Sequence, residues 1–166
     1  MRGAGELLLY LDYDGVLHHE NVLWFPTIGP YLCSGAGYVL FQHAELLEEI
    51  LEPYPQVQIV LSTMWVVRDG CADTAQRLPQ ALQARVVGAT YHSKMSRAKF
   101  VDTPRGLQVW QDVVKRKPRA WLALDDVHEG WPVQALPHYV RTHERAGISD
   151  PAVHDELNQK LREMFR

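Results

Sequence analysis

The sequence predicts an α/β fold: an open, mostly parallel sheet covered by helices on both faces. Three observations predict it. Apolar runs of strand length alternate with segments whose apolar residues recur at helical spacing. Several of those runs end in polar side chains (Asp12, Ser62 and Thr63, Asp125 and Asp126), and open parallel sheets bind ligands at that end of their strands. No internal repeat, low-complexity segment or linker interrupts the alternation, and 166 residues suit one domain with one substantial core.

"ELLLYLD" (6–12) reads as a buried strand, too short for a helix and closed by turn residues. Residues 18–40 are rich in proline and glycine and aromatic in places, so they read as an excursion or small hairpin. "FQHAELLEEILE" (41–52) puts Phe41, Ala44, Leu47 and Leu51 on one helical face, and Pro53 and Pro55 stop it. "VQIVLST" (57–63) is a second strand. A weaker helix is expected around 72–84, kinked at Pro79, followed by a short strand in "ARVVGAT" (84–90). "RGLQVWQDVVKR" (105–116) spaces Leu107, Trp110, Val113 and Val114 as a helix with an apolar face. "AWLALDD" (120–126) is another apolar strand and "HYVRT" (138–142) a last short one. The closing helix starts with Asp150 as N-cap and Pro151 as its first residue.

Composition removes several classes. No apolar run approaches the roughly 18 residues of a bilayer span. The amino terminus has too short an apolar stretch for a secretory signal. With only Cys33 and Cys71, neither a disulfide framework nor a zinc site is indicated, and a cytoplasmic protein is the plain expectation. The net charge of −3 hides an asymmetry: residues 85–119 carry +7 and the remainder −10. A basic segment of this kind draws anionic substrates, although solvated helix faces account for it as well.

The aspartates carry the chemistry. "DYDG" alone also begins calcium loops, sugar-nucleotide sites and ordinary turns, and no further acidic ligands follow at EF-hand spacing. Two strands far apart in sequence, each delivering aspartates, converge on one point if they are neighbours in the sheet. Carboxylates gathered there repel one another unless a hard divalent cation lies among them, and Mg²⁺ suits one or two carboxylates plus a substrate phosphate. Ser62 and Thr63, after a third strand, can donate to that phosphate.

With these residues in place, the sequence resembles the haloacid dehalogenase-like (HAD) phosphohydrolase superfamily. "DYDGVL" (12–17) matches its first motif, "IVLST" (59–63) its second and "LALDD" (122–126) its fourth. "DGVLHH", "LSTMW" and "RAGISDPAVHDELNQKL" look like the small HAD domains grouped with Swiss Army Knife RNA-repair proteins. The resemblance implies a three-layer, Rossmann-like parallel sheet in a single domain over 1–166, with a minimal cap from about 18–40. It implies Asp12 as nucleophile, forming an aspartyl-phosphate, and Asp14 as the acid that protonates the leaving oxygen and later activates water. Mg²⁺ would be held by Asp12, the main-chain carbonyl of Asp14, and Asp125. Asp126 would orient the others more than ligate. Ser62 is preferred over Thr63 as the phosphate contact, and Gly15 lets main-chain amides approach the phosphate. Arg105 is preferred over Lys94 and Lys99 for the motif's cation.

The remaining aromatic residues and histidines have plainer readings. His18 and His128 can line the mouth, but packing or surface roles are expected of them. Trp24, Phe25 and Trp65 can stack on a base or wall the pocket, with core packing the plainer expectation, and Trp110 is core. The expected function is a Mg²⁺-dependent phosphatase acting on a phosphorylated small molecule, a nucleotide or a nucleic-acid end, with no membrane partner. The rival is a binding or regulatory module that keeps the fold without turnover, which an Asp12→Asn comparison on phosphate esters separates.

Overall fold

The computed structural model describes residues 1–164. Its centre is a five-stranded, all-parallel sheet made by β1 (Leu7–Leu11), β4 (Val57–Leu61), β5 (Val86–Ala89), β6 (Ala120–Asp125) and β7 (Tyr139–Arg141), in the order β5-β4-β1-β6-β7. A separate antiparallel hairpin, β2 (Val22–Phe25) and β3 (Gly29–Leu32), lies within the 18–40 excursion. The chain is an α/β protein of Rossmann-like type.

β1 is an unbroken apolar run because both of its faces are covered. Leu7, Leu9 and Leu11 join one core cluster and Leu8 and Tyr10 the other, as two-residue alternation requires. The larger cluster takes Leu47 and Leu51 from helix α1 (Ala44–Leu51), Val66 from α2 (Trp65–Asp69) and Leu157 and Leu161 from α7 (Pro151–Met164). The smaller takes Val109 and Val113 from α6 (Arg105–Arg116) and Trp121 from β6. Asp150 caps α7 as expected, its Oδ1 accepting from the amides of Ala152 and Val153 at 3.0 and 3.2 Å.

Several expectations are corrected. The helix expected around 72–84 is two short pieces, α3 (Cys71–Ala75) and α4 (Gln80–Gln83), separated at Pro79, and Gly70 at φ 83° parts α3 from α2. An unforeseen helix, α5 (Arg97–Asp102), is capped by Ser96, whose side chain accepts from the Lys99 amide. Phe41 lies outside α1, at a left-handed φ of 57°. Helix α6 is rotated from the expected face: Val114 is exposed, while Asp112 and Arg116 are buried. That rotation is tolerable because the two charges pair at 2.7 Å and the Tyr10 hydroxyl donates to Asp112 at 2.7 Å. Trp24 and Phe25 are not core. They are 44% and 54% exposed, and the Arg68 guanidinium lies 5.1 Å from the centroid of the Trp24 ring. Trp65 and the half-buried Trp110 do pack against the core clusters. No helix among the described residues is long and apolar enough to cross a membrane.

Candidate active site

The site follows from strand register. Leu11 of β1 stands opposite Leu61 of β4 and Leu124 of β6. The next residue along each chain, Asp12, Ser62 and Asp125, therefore stands at one level at the carboxyl end of the sheet. Two main-chain bonds extend the ladder to that level: the Asp12 amide donates to the Leu124 carbonyl at 3.2 Å, and the Ser62 amide to the Leu11 carbonyl at 2.9 Å. The chain runs outward from β1 to β4 and β5, then returns to place β6 on β1's other side. The reversal opens a crevice at these strand ends.

The loop after β1 is tight. The amides of Val16 and Leu17 both donate to the Tyr13 carbonyl, and the Gly15 amide to the His18 carbonyl at 3.0 Å. Gly15 has φ +73°, and a Cβ there would lie 2.4 Å from Cγ of Asp126. Only glycine lets the loop close against that carboxyl. The Thr142 hydroxyl, just past β7, donates to the Gly15 carbonyl at 2.6 Å, and the Tyr139 hydroxyl of β7 donates to the Asp125 carbonyl at 3.0 Å.

Asp12, Asp125 and Asp126 each place a carboxylate oxygen within 4.8 Å of the others. Asp12 and Asp125 are buried and Asp126 partly so. Burial raises the pKa of Asp12; Arg105 pulls it back, and Asp14 pushes it up further. Burial and then Asp12 lift Asp125 well above the ordinary carboxylate range. Burial and then Asp12 push Asp126 up to about 7.

Arg105, the first residue of α6, answers this negative charge. Its Nη1 lies 3.5 Å from Oδ1 of Asp12 and 3.3 Å from Oδ2 of Asp125, and it donates to the Ser62 carbonyl. Burial opposes the guanidinium's charge, but Asp12 and Asp125 outweigh it and hold the pKa above the ordinary arginine value. Gly106 makes this placement possible. A Cβ there would fall 2.3 Å from the Trp131 amide nitrogen, so the start of α6 presses onto the segment that follows Asp126. Lys94 and Lys99, the competing cations, are exposed.

Ser62 is buried and its Oγ has no hydrogen-bond partner among the described residues. Thr63 accepts from the Trp65 amide at 3.3 Å, and its hydroxyl bonds to Asp12, lowering that carboxyl's pKa. Asp14, two residues past Asp12, is about one-third exposed. Its Oδ1 meets Nε2 of His18 at 2.8 Å and accepts from the Trp65 indole N–H at 3.0 Å.

The structure thus brings Asp12, Asp14, Gly15, Ser62, Thr63, Arg105 and Asp125 to one end of the sheet. It also brings two residues of which less was expected. Asp126 stands inside the carboxylate cluster, and His18, packed against Phe41 and Trp65, also meets Asp14 with its ring nitrogen. The signal for His18 was its position four residues after Asp14. His128 is exposed. The cluster's donors are all hard carboxylate oxygens, and Oδ2 of Asp125 is buried without a hydrogen-bond partner among the described residues. Such a set fits Mg²⁺.

Comparison with known families agrees with this geometry. A profile of the family described as "HAD domain in Swiss Army Knife RNA repair proteins" matches residues 8–153. No curated protein and no solved structure matches the chain.

Proposed function

Since this chain belongs to the HAD domain family of Swiss Army Knife RNA repair proteins, we propose that it is a Mg²⁺-dependent phosphohydrolase that cleaves a phosphate monoester through an aspartyl-phosphate. One observation carries the reading: Asp12, Asp125 and Asp126 converge at the strand ends with Arg105 among them and Asp14 beside Asp12.

Asp12 attacks phosphorus with one carboxylate oxygen, and the phosphate–leaving-group bond breaks with its electron pair going to the leaving oxygen. Asp14 supplies the proton that oxygen takes up. In the second half-reaction Asp14 removes a proton from water, which attacks the phosphoryl group and frees Asp12. Arg105 and the unpartnered Ser62 hydroxyl bind the phosphoryl oxygens, with Thr63 holding Asp12 in line. Asp12, Asp125 and the main-chain carbonyl of Asp14, with Asp126 completing the acidic set, would hold the cation, which would supply neutralisation of charge on the phosphoryl group.

For the substrate we favour a nucleotide or nucleic-acid phosphate end. The family description, the exposed hairpin aromatics Trp24 and Phe25 and the basic 85–119 segment support this. A small phosphorylated metabolite is the competing substrate. A reducing, cytoplasmic setting is consistent with the free thiols Cys33 and Cys71.

The test is turnover of a panel of phosphate monoesters with and without Mg²⁺, for wild type and Asp12→Asn. Mg²⁺-dependent phosphate release that vanishes in the variant is expected. Equal inertness of both proteins across the panel would favour a binding module and overturn the enzyme reading.

A further inference from the structure

We propose that His18 is a positioning residue. With Trp65, it fixes the Asp14 carboxyl so that only Oδ2 exchanges the catalytic proton. This inference rests on the phosphohydrolase reading above and adds to it a part of the machinery that lies outside the family's motif residues.

The His18 imidazole is wholly buried and walled by aromatic rings. Phe41 stands edge-on at 5.0 Å between centroids and Trp65 is tilted at 5.9 Å. Both ring nitrogens are committed. Nδ1 accepts from the Phe41 amide at 3.0 Å, and a nitrogen that accepts an N–H bond carries no proton. The ring's proton is therefore on Nε2, which lies 2.8 Å from Oδ1 of Asp14 and donates to it. The Phe41 amide is itself held in an unusual pose, because Phe41 is a non-glycine residue at φ 57°. A strained backbone of this kind persists only where its surroundings over-determine it, and here it points an N–H at the one nitrogen whose state sets the tautomer.

Asp14 thus receives two donors on the same oxygen: the imidazole N–H and the Trp65 indole N–H at 3.0 Å. Two donors on Oδ1 favour that oxygen as the carbonyl-like or anionic one and leave Oδ2 as the proton-carrying one. They also remove rotation about the Asp14 side chain, which is otherwise about one-third exposed on a turn. In the forward step the proton on Oδ2 moves to the leaving oxygen as the phosphorus–oxygen bond breaks. In the return step Oδ2 takes a proton from the attacking water. His18 and Trp65 keep their protons throughout. Both side chains are buried and act through Asp14, so they are positioning residues.

The test separates positioning from mere structure through leaving-group dependence. His18→Phe keeps the ring's shape in its aromatic wall and removes both hydrogen bonds; His18→Gln can restore an N–H to Asp14; Trp65→Phe removes only the second donor. For a phosphate monoester with an alkoxide leaving group, kcat/KM in His18→Phe is expected to fall by about a hundredfold, the range of one positioned acid. For 2,4-dinitrophenyl phosphate, whose leaving group needs no proton, the fall is expected to stay within about threefold, with recovery of the alkyl-ester rate in His18→Gln. Long-range ¹H–¹⁵N spectra of the wild-type imidazole supply a readout independent of activity, with Nε2 protonated and Nδ1 bare as the expected result. Equal losses on both esters, no recovery in His18→Gln, or a proton found on Nδ1 would overturn the positioning role while leaving the phosphohydrolase reading standing. A wild type inert on every ester would remove the underlying reading instead.

Discussion

At the scale of single residues, the site holds three crowded carboxylates against one guanidinium, and that imbalance has measurable consequences. Burial and then Asp12 push the pKa of Asp126 up to about 7, well above the ordinary aspartate value of about 4. The sign follows from proton counts. Between those two values the folded state binds more protons than the unfolded one, so stability falls as pH rises and levels off above 7. Asp12 and Asp125 are shifted in the same direction. Denaturant unfolding in EDTA is therefore predicted to show lower stability at pH 8 than at pH 5, with a shallower slope in Asp126→Asn. Arg105→Ala leaves the buried carboxylates uncompensated, and a loss of about 3–5 kcal/mol is predicted at pH 8. Protonation relieves that repulsion, so the loss should shrink at pH 5. A pH-independent loss in the same titration would show that Arg105 contributes packing, not charge.

At the scale of elements, the strands were legible and the connections less so. β1, β4 and β6 are buried on both faces, so β1 and β6 are plain apolar runs ended by their first aspartate, and β4 is an apolar run broken only by the half-buried Gln58. Parallel register then places Asp12, Ser62 and Asp125 side by side without further information. Helix α6 was recognised but its buried face was not, because apolar periodicity gives no weight to Asp112 and Arg116, whose pairing lets them face inward. The pieces α2 to α4 had no periodicity long enough to read. His18 was undervalued for a different reason: its partners are the backbone of Phe41 and the side chain of Asp14, and a hydrogen bond to a distant amide leaves no mark in composition. The tight turns make their own prediction. Gly15→Ala must adopt a left-handed φ, costing about 1–2 kcal/mol, and must also move the Asp126 carboxyl. Calorimetry should find weakened Mg²⁺ binding beyond the stability loss. Gly106→Ala meets backbone at Trp131 rather than a movable side chain, so activity should fall as α6 and Arg105 shift, even though alanine favours the helix.

At the scale of the whole molecule, three sheet strands, the first turn of α6 and the loop from 12 to 18 meet at one place, and the account treats that place as a phosphoryl-transfer centre. A ligand that binds only the folded state stabilises it by mass action, by about 2.7 kcal/mol at a concentration one hundred times its Kd. Mg²⁺ should accordingly raise the melting temperature of wild type, and less so in Asp125→Asn, which removes one of the proposed ligands. The +7 segment at residues 85–119 predicts that any nucleic-acid phosphate end is bound more weakly as salt rises. The exposed hairpin aromatics predict a further loss of affinity for such ends in Trp24→Ala, with little change for a small phosphate ester. The covalent step is the claim on which the rest depends. Its most direct measurement is mass spectrometry of enzyme quenched in acid during turnover of a phosphate monoester with Mg²⁺, using Asp14→Asn to slow release of the intermediate. The account predicts a phosphoryl group on the peptide containing Asp12, assigned to that residue and missing from Asp12→Asn. Turnover with no phosphorylated intermediate, or a phosphoryl group carried by any other residue, would contradict it.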